Sequence, residues 1–115
     1  SLQVITQKKL YLSGESMGLA WLIGGLCFLH QRPFPADLLA WGAIRPLRNG
    51  QFSLYPTDHT DKKLKLVLSH AAQRITTHKD EQTSSFPGKR IVLGNDMMGN
   101  INIIKEKVLQ CFLPQ

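Results

Sequence analysis

The chain has 115 residues, of which 43% are hydrophobic and 19% charged, so it should form one domain with its own core. This composition excludes a disordered chain, a collagen and a coiled coil, and the length excludes most nucleotide-driven enzymes and most complete hydrolases. The net charge of +6 makes nucleic acid a weak candidate partner, because the 14 Lys and Arg residues are scattered and no known binding motif is present.

The hydrophobic pattern of the first half predicts one strand, then a central helix, then a hairpin of two strands. The elements, in chain order, are a strand at 8–12, an almost uniformly apolar helix from Ser16 to His30, a strand from Asp37 to Ile44, a turn at Arg48-Asn49-Gly50 and a returning strand at 51–55. The apolar run from Met17 to Leu29 is shorter than the roughly 20 residues of a membrane-spanning helix. We therefore predict a buried core helix and no membrane partner.

The second half predicts a helix, a loop, a strand and a final helix. The first helix runs from about 60 to Ile75, and the residues of its predicted core face are Leu64, Val67, Leu68 and Ala71. The remaining elements are a mobile polar loop at 76–88, a strand at Lys89–Leu93, a turn at 94–100 and an amphipathic helix at 101–113 that buries Ile104, Val108, Leu109 and Phe112. This order predicts an α/β or α+β domain.

The two cysteines predict neither a disulfide framework nor a metal site. Cys27 and Cys111 both lie in apolar segments, and no C-x-x-C motif is present. Two buried thiols are typical of a reducing compartment, so we expect a cytoplasmic protein. Trp21 and Trp41 are both expected in the core, and the four histidines are too scattered to predict a metal.

A serine between small residues is the candidate nucleophile. Gly14-Glu15-Ser16-Met17-Gly18 is a G-x-S-x-G motif that follows the first predicted strand and begins the first helix. Gly14 and Gly18 leave room for a substrate carbonyl, and backbone N–H groups near Ser16 and Met17 can stabilise an oxyanion. The alternative is that Ser16 only caps the helix.

An α/β-hydrolase is one class with such a motif. That fold needs an acid and a histidine well downstream on a large sheet, whereas His70 and His78 are predicted to follow a helix and enter a polar loop. This hypothesis therefore ranks below the next one.

From Ser16 onward the sequence resembles the proteolytic domain of Lon-type proteases. The segment GESMGLAWLIGGLCFLHQRPFPADLLAWGAIRPLRNGQF has Arg32-Pro33, Ala36-Asp37, Gly42 and Ile44 at the family spacing from Ser16. The L-R-G turn of the family is matched by 47–51 with a two-residue insertion, and the resemblance covers residues 14–72. It implies a Lon-like α+β (α/β) fold with a small mixed sheet and about three helices.

The resemblance implies a Ser-Lys dyad in which Ser16 attacks a peptide carbonyl and a buried lysine acts as general base. The family lysine begins the helix after the hairpin, in a G-G-x-K-x-K-L pattern. The K-x-K-L spacing in this sequence favours Lys65, whereas helical periodicity favours Lys63 as the second choice. A third interpretation places Lys62, Lys63 and Lys65 all on the solvated surface.

The implied partners are a polypeptide substrate, an ATPase module outside this chain and further copies in a homo-oligomer. No Walker A motif is present, and no metal or cofactor is implied in this chain. Met17, Ala43 and 57–61 depart from the family pattern and motivate a second hypothesis, a non-catalytic Lon-like domain used for assembly or binding. Because the family domain is longer, we expect 1–115 to be a single domain that is either a piece of a larger protein or a minimal relative.

Overall fold

The computed structural model of the protein describes residues 15–58, 60–70 and 72–110. Over these residues the elements are α1 (Gly18–Leu29), β1 (Leu38–Ala40), β2 (Ala43–Pro46), β3 (Phe52–Tyr55), α2 (Thr60–Ser69), β4 (Arg74–His78), β5 (Lys89–Leu93) and α3 (Met97–Ile104). A 3₁₀ turn at Glu15–Met17 precedes α1, and a π-helical turn at Lys105–Leu109 continues α3. The described part of the chain is thus a small mixed α/β domain with three α-helices, as predicted.

The strands form two separate sheets in the described part of the chain. β1, β4 and β5 lie in that order in a parallel sheet, with Leu39 opposite Ile75 and Thr76 opposite Ile91. β2 and β3 pair antiparallel as the predicted hairpin. Its turn includes Gly50 at a φ of 83°, a backbone conformation that favours glycine.

The predicted strand from Asp37 to Ile44 is in fact two strands, broken at Trp41-Gly42. The Trp41 N–H still donates to the Thr76 carbonyl, but the Gly42 N–H donates to the Ser16 carbonyl instead of to a strand. The backbone therefore leaves the parallel sheet here to contact the turn that holds Ser16.

α2 is shorter than predicted, since it ends at Ser69 and not near Ile75. The residues that follow it form β4, so 76–78 belong to a strand and the loop begins at Lys79. β4 is the middle strand of the parallel sheet, and Thr76, Thr77 and His78 are buried in it despite being polar. Burial on both faces explains why this strand has no alternating pattern that a sequence could reveal.

The final helix begins earlier than predicted. α3 starts at Met97, within the predicted turn at 94–100, because the Asp96 side chain accepts a hydrogen bond from the Gly99 N–H and caps it. Ile104, Val108 and Leu109 are buried as predicted. Phe112 and Cys111 lie outside the described residues, as does the predicted strand at 8–12.

The core lies between α1, the parallel sheet and α2. Trp41 and Cys27 are buried in it as predicted. Trp21 is 43% exposed and not in the core, and it shares the outer face of α1 with the exposed Phe28 and Leu29, so this helix is not buried all round. Within the described ranges, no helix combines the length and the apolar character needed to cross a bilayer.

Candidate active site

Ser16 is held in place by the corner between β1 and β2. It lies in the 3₁₀ turn at Glu15–Met17 and is 3% exposed. The Gly42 N–H donates to the Ser16 carbonyl at 3.0 Å, and the Gly42 carbonyl accepts from the Leu19 N–H at 3.0 Å. The N-cap position of α1 falls on Met17, so the alternative that Ser16 is the N-cap of this helix is wrong.

The residues flanking Ser16 have packing roles of their own. A Cβ atom on Gly18 would lie 3.1 Å from the Ile44 backbone nitrogen, so a glycine here allows α1 to approach β2 closely. The Met17 side chain is 3% exposed and packs in the core. Gly14 lies outside the described residues. Stabilisation of an oxyanion by the backbone N–H groups of this turn stays a prediction. The Leu19 N–H cannot contribute to it in this arrangement, because it already donates to the Gly42 carbonyl.

The structure brings Lys63, and not Lys65, to Ser16. Lys63 Nζ lies 3.2 Å from Ser16 Oγ, and Lys63 is only 2% exposed. Lys63 shares the inner face of α2 with Leu66 and Val67, which follow it by three and four residues. Lys65 lies on the exposed side of the helix, so the preference for it from motif spacing does not fit the fold. Lys62 is exposed as well.

The Lys63 amine has two further partners on the segment before α2. It donates to the Asp58 carbonyl oxygen at 2.7 Å and to the Thr57 hydroxyl oxygen. Burial lowers the pKa of Lys63, and the carboxylates of Glu81 and Asp58 partly oppose this effect. A lower pKa means that more of the amine is neutral at a given pH, and only the neutral form can accept a proton.

A buried carboxylate supports this segment from the loop between β4 and β5. Glu81 is 7% exposed and accepts from the Thr57 N–H at 2.5 Å, the Thr57 hydroxyl at 2.9 Å and the Thr60 hydroxyl at 2.7 Å. None of these three residues was predicted from the sequence as part of a site. Thr57 and Thr60 stand in a polar stretch at the start of α2, and Glu81 lies in a polar loop without a recognisable motif.

An ion pair lies beside the serine turn. The Arg45 guanidinium on β2 pairs with the Glu15 carboxylate and lies 5.0 Å from the centre of the Tyr55 ring. Both charged side chains are about half exposed, so this pair contributes little to stability. It does place a carboxylate–guanidinium pair next to Ser16 at the surface.

The histidines that an α/β-hydrolase would need make their hydrogen bonds elsewhere. His78, predicted in a loop, is the last residue of β4, and its ring contacts the Asp80 N–H and the Asn95 side chain. The His70 ring contacts Ser69 and the Leu66 carbonyl. His59 lies outside the described residues. Among the residues described, no group of His, Cys, Asp and Glu is arranged to hold a metal ion.

Comparison with known proteins adds no relative from which a function could be inferred. No protein-family model, curated protein or solved structure matches the chain. The chemistry of the Ser16–Lys63 pair therefore rests on its own geometry.

Proposed function

We propose that this chain is a serine hydrolase domain in which Ser16 is the nucleophile and Lys63 the general base. The observation that carries this proposal is the 3.2 Å contact between Lys63 Nζ and Ser16 Oγ, both in buried side chains. Lysine is almost never fully buried without a specific partner. Burial also lowers its pKa, which is the direction that general-base catalysis needs.

The proposed reaction cleaves an acyl bond in two steps. Ser16 Oγ attacks the carbonyl carbon while its proton passes to Lys63 Nζ, and backbone N–H groups at the start of α1 stabilise the oxyanion. The tetrahedral intermediate collapses, the bond to the leaving amine breaks, and Lys63 returns the proton to that amine. In the second step a water molecule gives a proton to Lys63 and attacks the acyl carbon. The bond to Ser16 Oγ then breaks, Lys63 returns the proton to Oγ, and the acid leaves.

We further propose that the acyl donor is a peptide bond and that the fold is that of a Lon-like proteolytic domain. The support is the resemblance over residues 14–72, in which Gly42 and Ile44 keep the family spacing from Ser16. Gly42 also bonds to Ser16 and to Leu19 through its backbone, and Ile44 lies close to Gly18. An ATPase module outside this sequence, a homo-oligomeric assembly and a cytoplasmic location belong to the same proposal.

Phosphonylation of the protein by a small fluorophosphonate, in which the serine oxygen displaces fluoride from phosphorus, tests the proposed dyad when it is followed by mass spectrometry. We expect one adduct, located on Ser16 and absent from Ser16→Ala. The labelling rate should rise with pH as Lys63 loses its proton and should level off above the lowered pKa of Lys63. Lys63→Met should reduce the plateau rate by about 100-fold, the lower range for loss of a general base.

Lys65→Met is the matched control, because it makes the same change two residues along α2 on the exposed side. It should label at the wild-type rate. The assignment of Lys63 as the base would be contradicted if Lys63→Met and Lys65→Met lost the same labelling rate, or if Ser16 were labelled equally fast without Lys63.

The second candidate function is a non-catalytic Lon-like domain used for assembly or binding. The observation in its favour is the burial of the dyad, since Ser16 is 3% and Lys63 2% exposed. The same labelling experiment separates the two candidates. A protein that stays unlabelled at every pH supports the non-catalytic domain and contradicts the hydrolase.

A further inference from the structure

Glu81 is a buried carboxylate whose three hydrogen bonds all go to the segment that precedes and begins α2. It accepts two bonds from Thr57 and one from Thr60, and it lies on the loop that joins β4 to β5. Thr57 is in turn a direct partner of the Lys63 amine. Glu81 is therefore connected to the Ser16–Lys63 pair through one hydroxyl group.

The donors and acceptors of this chain can be assigned from valence. An ionised carboxylate only accepts, so the single proton of the Thr57 hydroxyl goes to Glu81, and the Thr57 oxygen must accept from Lys63. The Asp58 carbonyl also only accepts. Two N–H bonds of the Lys63 amine are thus committed, and the remaining tetrahedral position lies toward Ser16 Oγ.

We infer that Glu81 is a positioning residue that keeps the Thr57 hydroxyl an acceptor and so leaves the lone pair of neutral Lys63 for the Ser16 proton. Its role in catalysis rests on the proposed function. Without the Glu81 acceptor, the Thr57 hydroxyl can turn and donate to Lys63 Nζ. The lone pair would then be occupied by Thr57, and Lys63 could not act as a base toward Ser16.

Glu81 also acts on Lys63 through its charge. Among the described residues, the carboxylates that affect the Lys63 amine are those of Glu81 and Asp58, and the neutral Thr57 contacts both Lys63 and Glu81. Each carboxylate favours the ammonium form. The two effects of Glu81 on Lys63 are therefore opposed. Its hydrogen bond to Thr57 leaves the Lys63 lone pair available for the Ser16 proton, whereas its negative charge keeps Lys63 protonated up to a higher pH.

Glu81→Gln and Glu81→Ala separate these two effects. The amide oxygen of Gln can still accept from Thr57 but carries no charge, whereas Ala removes both properties. In Glu81→Gln we expect the pH profile of fluorophosphonate labelling to shift to lower pH with the plateau rate maintained. In Glu81→Ala we expect the same shift and a plateau rate at least about tenfold lower, because the base is misoriented.

Three further variants test whether the effects come from this hydrogen-bond chain and not from a change in folding. Thr57→Ser keeps the hydroxyl and should label like the wild type, whereas Thr57→Val should lose about as much rate as Glu81→Ala. Asp80→Asn removes a charge from the neighbouring exposed position and should leave the pH profile unchanged. A Glu81→Gln profile that does not move, or a plateau that falls equally in Glu81→Gln and Glu81→Ala, would overturn the inference.

A measurement that needs no catalysis distinguishes failure of this inference from failure of the proposed function. The pKa of Lys63 can be followed by ¹³C NMR of lysine-labelled protein, with Lys63→Met to assign the signal. We expect the pKa to fall in Glu81→Gln and to stay at the wild-type value in Asp80→Asn. No labelling together with a shifted Lys63 pKa contradicts the hydrolase alone, and an unshifted pKa contradicts the coupling of Glu81 to Lys63.

Discussion

The Gly42 N–H donates to the Ser16 carbonyl at 3.0 Å, at the point where the chain leaves the parallel sheet. A Cβ atom on Gly42 would lie 2.8 Å from Leu54 Cδ1 and 3.4 Å from Leu19 Cβ. Leu54 and Leu19 are both fully buried, so neither can move aside without disturbing the core. The position of the candidate nucleophile thus depends on the absence of a side chain at residue 42.

Gly42→Ala should therefore destabilise the fold and displace Ser16. We expect a loss of about 1–3 kcal/mol in the free energy of unfolding, the usual effect of overpacking a core. Labelling of Ser16 should slow as well. Urea denaturation and fluorophosphonate labelling measure the two effects.

Gly25→Ala is the matched control for this substitution. Nothing lies within 4 Å of a Cβ atom on Gly25, which is exposed in the interior of α1. Alanine should stabilise this helix by about 0.5–1 kcal/mol and leave labelling unchanged. Similar stabilities for the Gly25 and Gly42 variants would contradict the packing argument.

The lowered pKa of Lys63 predicts how stability depends on pH. Between the lowered pKa and the ordinary value of 10.5, the unfolded chain binds a proton that the folded chain has released. The free energy of unfolding of the wild type should therefore rise with pH across this window. Below the lowered pKa the folded state holds a buried ammonium ion, and this contribution stays unfavourable.

Denaturation of Lys63→Met and Lys65→Met across an alkaline pH series tests this prediction. Lys63→Met should lack the rise with pH, whereas Lys65→Met should keep it, because Lys65 is on the exposed side of α2. Parallel curves for the wild type and Lys63→Met would show that the Lys63 pKa is the same in the folded and unfolded states.

The burial of the dyad predicts that the size of an acylating reagent matters. Ser16 is 3% exposed, so any electrophile can reach its hydroxyl only when covering residues move. We expect a methyl-sized fluorophosphonate to label Ser16 much faster than a bulky aryl analogue of equal intrinsic reactivity. The ratio of the two rates should approach one in dilute urea, below the unfolding transition, if local opening limits access. Equal labelling rates for the small and the bulky reagent in buffer without urea would contradict the prediction that burial restricts access to Ser16 by size.

The ion pair between Asp37 and Arg74 should stabilise the fold against acid. Arg74 donates to both Asp37 carboxylate oxygens, at 2.8 and 2.9 Å, where β1 and β4 begin. This hydrogen bonding lowers the pKa of Asp37, so the stabilisation is present above the ordinary value of 3.8 and is lost as pH falls through the lowered pKa. Asp37→Asn should cost about 1 kcal/mol or less at neutral pH, because the pair is partly exposed.

The measurement is the difference in free energy of unfolding between the wild type and Asp37→Asn as pH falls. The difference should shrink and vanish below the lowered pKa of Asp37. Glu106→Gln, which removes an exposed carboxylate from the turn that continues α3, is the control. A difference that stays constant in acid would mean that the two residues do not pair in solution.

The sequence predicted those parts of the fold that local patterns determine. The β2–β3 hairpin follows from its turn residues, β5 matches its predicted bounds, and the position of α1 follows from an apolar run that ends before Pro33. In α2 the hydrophobic periodicity predicted only part of the buried face. It favoured Lys63 because this lysine precedes the first predicted core residue, Leu64, but it also predicted that Leu68 is in the core. In the structure Leu68 is 58% exposed. An apolar pattern cannot fix the rotation of a helix when one buried position is a lysine.

The supporting residues of the candidate site could not be predicted, because their partners are distant in sequence. Glu81 and Thr57 are 24 positions apart, and Glu81 lies in a segment whose composition is typical of a solvated loop. Its burial depends on the parallel pairing of β4 between β1 and β5, which is a tertiary property. The sequence supplied the candidate nucleophile and two candidate bases, and the structure places Lys63 rather than Lys65 beside Ser16.

The position of Glu81 on the β4–β5 connection has a consequence for synthesis on the ribosome. Ser16 and Lys63 both emerge before Glu81, and β4 gains its second neighbour only when β5 has been made. A nascent chain that ends before this loop holds Ser16 and Lys63 but not Glu81. We expect ribosome-bound chains that end after α2 to resist fluorophosphonate and chains that end after α3 to react, when a C-terminal linker holds each of them clear of the exit tunnel, so that reactivity reports completion of the fold.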